Sequence, residues 1–257
     1  MNGTFRLFSG LLAKELIILK SYWLNTAASI VGAFAIFLIA FLGGQAVAGP
    51  QLEDSLGGIV VGYFLVILAI AAYQDTTNKV TQEAQWGTLE QLHMTPLGFG
   101  RVILLQGIVT ILYSFIFGIG VLIPMLAVTG VDLSLDVVTI IPIAALAVAS
   151  IVGIGLMLAG FAVVHKKIDQ VLNLLQWGIF GLVAAPLSGH ILVYILPVTQ
   201  GSAMLQRAMQ DGVRLWEFPV TDLAVLLVVG VGYLVIGYLV FMRLTDRARR
   251  LGVLGHY

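Results

Sequence analysis

Residues able to do chemistry are few in this chain, and their spacing closes off most reactions. His93, His165, His190 and His256 are scattered, and no H-E-x-x-H sets two imidazoles one helical turn apart around a zinc ion. Cysteine is absent, which excludes a disulfide framework, a thiolate metal site and a cysteine nucleophile. Lys14, Lys20, Lys79, Lys166 and Lys167 all lack the glycine-rich approach of G-x-x-x-x-G-K-[ST], so the chain is not expected to cradle nucleotide phosphates itself. There is no G-x-S-x-G, and no pair of carboxylates within an apolar stretch that reads as a proton relay. The expectation is a protein without catalytic residues, metal or cofactor of its own.

What is left inside the apolar stretches is uncharged polarity. Asn173 and Gln176 are three residues apart, so on a helix they share a face, and Trp177 follows them. Gln106 and Tyr113 form a similar pair of polar positions. Two roles fit Asn173 and Gln176: hydrogen bonding between helices, worth about 1 kcal/mol or less, or contact with a substrate. Gln74 and Asp75 fit either a gate or a solvated helix end.

The elements that must position these residues follow from composition. Of 257 residues, 60% are apolar and 10% charged, with a mean hydropathy of +1.03. Soluble domains carry roughly 25% charged residues. So few charges cannot cover that much apolar surface in water, and the bilayer must be part of the solvent. Net charge is zero, with 13 basic and 13 acidic side chains, so no overall field draws nucleic acid. Spanning helices need about 20 apolar residues. Six segments qualify: 23–44, 57–74, 102–128, 137–164, 171–189 and 221–242. None has a charge in its interior, where one costs on the order of 3 kcal/mol. No cleavable apolar leader is expected ahead of the first.

Basic residues set the expected orientation. With the N-terminus inside, Arg6, Lys14, Lys20, Lys79, Arg101, Lys166, Lys167, Arg243, Arg247, Arg249 and Arg250 are cytoplasmic, and only Arg207 and Arg214 lie outside. An even number of spans then places both termini in the cytoplasm. Asp136, Asp169 and Thr221 stand where they can cap the fourth, fifth and sixth spans. Ala145, Ala149 and Gly153 form a small-residue stripe for close helix contact.

Three segments lie outside the spans. Residues 5–20 mix Leu7, Leu11, Leu12, Ile18 and Leu19 with Arg6, Lys14, Glu15 and Lys20, the pattern of a helix lying in the headgroup plane. The cytoplasmic loop 75–101 contains Thr88-Leu89-Glu90-Gln91, a capping box. Gly87-Thr88 starts a helix of under two turns there, and Thr95-Pro96 stops it. The outer segment between Pro186 and Pro219 predicts short re-entrant or interfacial helices. One is an apolar run over 190–196 broken by Pro197, and another is capped by Thr199 and runs to about Met209.

The loop sequence Glu83-Ala84-Gln85-Trp86-Gly87-Thr88-Leu89-Glu90-Gln91-Leu92-His93-Met94-Thr95-Pro96 resembles the cytoplasmic signature of ABC type-2 exporter permeases. It matches at Glu83, Gly87, Thr88, Leu89, Glu90, Leu92, Thr95 and Pro96. Leu12-Ala13-Lys14-Glu15-Leu16 is similar to the family's N-terminal helix, and Leu196-Pro197-Val198-Thr199 through Arg207 to its outer region before the last span. His93-Met94 and a short outer region depart from the pattern. The resemblance implies an all-α integral membrane protein forming a single permease domain over 1–257. Its parts are six transmembrane helices, an N-terminal interfacial helix (5–20), a short cytoplasmic coupling helix and short outer re-entrant helices.

The same resemblance implies two permease copies, or two related permeases, joined to separate ABC ATPase subunits that hold ATP and Mg. Lys14, Glu15 and the loop residues Glu83, Gly87, Thr88, Leu89, Glu90, Leu92, Thr95 and Pro96 then form the ATPase-docking surface. Asn173, Gln176 and Trp177 become substrate-path residues for export of a drug, lipid or lipid-linked glycan across a prokaryotic plasma membrane. Two other plans share these features: an ATPase-independent channel or secondary carrier, and the haem-exporter type of permease. Buried ionisable residues would favour a secondary carrier.

Overall fold

A computed structural model describes residues 3–48, 55–88, 95, 98–165, 169–185 and 191–250. Among them all regular structure is helical. The helices are α1 (Gly3–Ser21), α2 (Trp23–Ala48), α3 (Leu56–Gln85), α4 (Phe99–Thr129), α5 (Val137–His165), α6 (Asp169–Ala184), α7 (Ile191–Ile195), α8 (Thr199–Gln210) and α9 (Val220–Arg250), with a 3₁₀ turn at Leu215–Glu217. Five of them, α2, α3, α4, α5 and α9, are long and apolar enough to cross a membrane. This is a helical membrane protein.

Of the predicted span 171–189, the part 171–184 falls in the 16-residue α6, about 24 Å long, and 186–189 lie outside the described residues. The last carbonyls of a helix need donors wherever they are shielded from water. Here α8 supplies donors: Thr199 Oγ1 donates to the Leu182 carbonyl at 3.3 Å and Ser202 Oγ to that of Val183 at 2.8 Å. Thr199 is therefore not the cap of its own helix. That place falls to Val198, buried and held at φ 69°, a left-handed conformation costly for a β-branched residue.

Small residues bring the long helices together. α5 is the centre of the bundle, packed against α3, α8 and α9. Gly237 of α9 lies against the Gly153 carbonyl of α5, and a Cβ on Gly230 would stand 2.6 Å from the Leu146 carbonyl oxygen. The stripe ending at Gly153 thus meets α9. On its other side α5 meets α3, where Thr77 Oγ1 donates to the Gly155 carbonyl at 3.3 Å. The buried layer between them runs through Phe64, Leu65, Leu68, Tyr73, Ile143, Val148, Ile151 and Val152. By contrast α2 sits at the edge with Phe37 buried and Leu24 and Ile39 exposed, as a helix facing lipid does.

Capping expectations divide. Asp136 caps α5, its carboxylate accepting from the Val138 amide at 3.2 Å and from Thr139 Oγ1 at 2.6 Å. Thr221 does not cap α9, which begins one residue earlier and uses the Pro219 carbonyl as its first acceptor. Asp169 is the first residue of α6. At the end of the molecule formed by α8, Arg207 pairs with Asp222 at 3.4 Å and lies 5.1 Å over the Phe218 ring.

Candidate functional site

The second predicted span, 57–74, continues without interruption to Gln85. Gln74 and Asp75 are consequently not a helix end but lie in mid-helix, and the charges there need partners. Asp75 and Lys79 are one turn apart on α3, with Lys79 Nζ 2.6 Å from Asp75 Oδ2. The same ammonium reaches Glu15 Oε1 of α1 at 2.7 Å. Thr110 Oγ1 of α4 donates to Asp75 Oδ2 at 2.6 Å, and Gln106 Nε2 to Glu15 Oε1 at 3.5 Å. The Tyr113 ring stands 5.7 Å from Lys79 Nζ. Three helices are joined at one buried point.

Glu15 is 4% exposed, in the middle of the inward stripe of α1, Leu7-Leu11-Leu12-Glu15-Leu19. No predicted span carries a charge in its interior, yet the fold buries this carboxylate and most of Asp75 and Lys79. A usable signal was present for half of the cluster: Asp75 and Lys79 have the i,i+4 spacing of a helical ion pair. Nothing local pointed to Glu15 as their partner.

Beside this cluster α2, α3, α4 and α6 line a half-open cavity of about 540 Å³, within the range of small-molecule sites. It follows α3 from Tyr63 to Asn78, about 22 Å of helix. Its polar lining is Asn25, Ser29, Gln74, Asp75, Asn78 and Gln176; its aromatic lining is Tyr63, Tyr113, Phe117, Trp177 and Phe180. Two hydrogen bonds hold the walls: Tyr63 OH donates to the Ala33 carbonyl at 2.6 Å, and Tyr73 OH to that of Leu172 at 3.1 Å. Of the three substrate-path candidates, Gln176 and Trp177 line the cavity, whereas Asn173 is exposed and outside its lining. Asn173 stands about 60° around the helix from Gln176 and about 4.5 Å nearer its start, so sharing a broad face does not bring both onto one wall.

Of the docking candidates, Glu83, Gly87 and Thr88 lie at the far end of α3 and Lys14 on α1, whereas Glu15 is buried against Lys79 and presents no docking surface. Lys14 Nζ is 3.8 Å from Glu83 Oε1, linking α1 to the start of the loop signature. Gly87, at φ 70°, ends α3: the Thr88 amide donates to the Glu83 carbonyl at 3.0 Å and the Gly87 amide to that of Ala84 at 3.2 Å. That pairing closes a helix on a left-handed glycine. The Thr88 hydroxyl turns back as well, donating to the Glu83 carbonyl at 3.1 Å and to its carboxylate. Thr88 therefore completes the helix before it. Leu89, Glu90, Leu92 and Pro96, and with them the short helix predicted after Thr88, lie outside the described residues; the Thr95 carbonyl accepts from the Gly98 amide at 3.0 Å. Comparisons with protein-family profiles, curated proteins and solved structures found no match to this chain.

Proposed function

We propose that this chain is the membrane subunit of an ATP-driven exporter of the ABC type-2 kind, moving an amphiphilic substrate while a separate ATPase subunit hydrolyses ATP. The observation that carries the proposal is the continuity of α3. One 30-residue helix holds cavity residues Tyr63, Gln74 and Asp75 along its length and Glu83, the first residue of the loop signature, at its end. A stiff helix of this kind transmits displacement of its tip to the cavity wall. The Lys79 ammonium ties α1 to the same helix through Glu15, so Lys14 and Glu83 move as one surface when a partner pushes on them.

In this scheme nucleotide binding closes two ATPase subunits, and Glu83, Glu90, Leu89 and Leu92 take up the motion. Two permease copies, or two related permeases, then exchange between inward-open and outward-open shapes, a two-state equilibrium biased by nucleotide. Both termini, the end of α3 and the loop after it are cytoplasmic, in a plasma membrane, and ATP and Mg reside on the partner. The test is ATP hydrolysis by the reconstituted complex across a panel of drugs and lipids. Substrate stimulates hydrolysis in the wild type; in Glu90→Arg stimulation is lost while the permease stays folded. Unchanged stimulation removes the docking claim.

One observation favours a second reading. The buried Glu15, Asp75 and Lys79 are the ionisable groups that an ATPase-independent secondary carrier uses. Uptake into liposomes holding this chain alone, driven by a proton gradient, would establish that reading in place of the first.

A further inference from the structure

We infer that the cavity between α2, α3, α4 and α6 binds an amphiphilic organic monocation. Calling that ligand the cargo rests on the exporter proposal; its binding does not. Two features converge. Glu15 and Asp75 share the single ammonium of Lys79, and among the described residues no other Lys, Arg or His lies within 4.0 Å of either carboxylate. The cluster therefore carries one negative charge in excess, in surroundings where solvent screens it little. Asp75 also lines the cavity. Its Oδ2 takes both Lys79 and Thr110, while Oδ1 accepts nothing among the described residues.

The second feature is the wall itself. Tyr63, Tyr113, Phe117, Trp177 and Phe180 line the same space, and aromatic rings attract a desolvated cation through their faces. Lys79 at 5.7 Å from the Tyr113 centroid already shows a cation held this way. A neutral lipid leaves the excess charge unanswered, and an anion opposes it. An organic cation with aromatic or alkyl bulk answers the charge and fills the apolar wall.

Tetraphenylphosphonium and tetraphenylborate have the same shape and opposite charge. Each is measured separately by equilibrium dialysis against the full chain in uncharged maltoside micelles, with empty micelles subtracted. The expected result is saturable binding of the phosphonium, at least about tenfold tighter than the borate. Asp75→Asn weakens phosphonium binding by about tenfold or more. Glu15→Gln, which makes the cluster neutral from outside the cavity lining, weakens it in the same direction. Ala71→Phe fills the cavity and removes binding while the thermal midpoint stays near that of the wild type.

Equal affinity for both ions, no saturable phosphonium binding, or full affinity in Ala71→Phe overturns the inference. The two claims fail separately. If the ATPase neither associates nor responds but the phosphonium binds, the exporter proposal falls alone. If hydrolysis responds to neutral lipid and the phosphonium does not bind, this inference falls alone.

Discussion

Removing the Lys79 ammonium tests whether the buried cluster holds α1, α3 and α4 together. The ammonium stands 2.7 Å from Glu15 and 2.6 Å from Asp75. At an effective dielectric near 20 each contact is worth about 6 kcal/mol of Coulomb attraction before desolvation is subtracted. The two carboxylate oxygens are no farther apart than those two legs laid end to end, about 5.3 Å, so their mutual repulsion is about 3 kcal/mol or more on the same scale. In Lys79→Met the attraction disappears and the repulsion remains. The expected cost is about 3–5 kcal/mol, that of breaking a buried pair from one side.

For a chain of this size such a cost lowers the thermal midpoint by on the order of 10 °C, readable by differential scanning fluorimetry in micelles. The triple variant Glu15→Gln, Asp75→Asn, Lys79→Met removes every charge and keeps similar volumes; it recovers most of the loss, because uncharged neighbours need no counterion. A single variant within about 3 °C of the wild type, or a triple variant as unstable as the single one, refutes the reasoning.

The other expectations concern packing and docking. Gly237→Ala drives a methyl group into the Gly153 carbonyl, which as helix backbone cannot yield; it should cost about 3 kcal/mol or more and lower the folded yield on size exclusion. Gly232→Ala, with nothing within 4 Å of the added carbon, should instead stabilise α9 by up to about 1 kcal/mol, raising the midpoint. Thr199→Val together with Ser202→Ala leaves the Leu182 and Val183 carbonyls without their hydroxyl donors and should cost about 1–3 kcal/mol, seen as earlier thermal unfolding. Glu83→Arg breaks the 3.8 Å pair with Lys14 and the hydrogen bond its carboxylate accepts from the Thr88 hydroxyl, so stability should fall by about 1–2 kcal/mol while the chain stays folded and ATPase stimulation is lost; retained stimulation counts against docking at Glu83.

Much of the architecture was legible in the residue order because the bilayer enforces it locally. A segment crossing hydrocarbon must satisfy its own backbone and carry apolar side chains throughout, so α2, α4 and α5 begin and end within a few residues of the apolar runs that predict them. The Asp136 cap was equally readable, since its carboxylate and the Val138 amide and Thr139 hydroxyl it serves are neighbours in sequence. Gln74-Asp75 misled for the same local reason. A carboxylate after an apolar run reads as the membrane surface, whereas here Lys79 one turn later and Thr110 of α4 satisfy Asp75 within a helix that runs on to Gln85.

The apolar pattern thus determined alone that this chain forms helices in a membrane, because burial of a spanning helix depends on its own residues. Tertiary structure decided which side chains meet. Glu15 and Lys79 are 64 positions apart, and periodicity assigns each to a helix face but not that face to a partner. Nor does it show that α6 can stop at Ala184, because the hydroxyls satisfying its last carbonyls come from α8. The cavity exists in no single segment: four helices supply its walls, and hydrogen bonds from Tyr63 to Ala33 and from Tyr73 to Leu172 tie them across the fold.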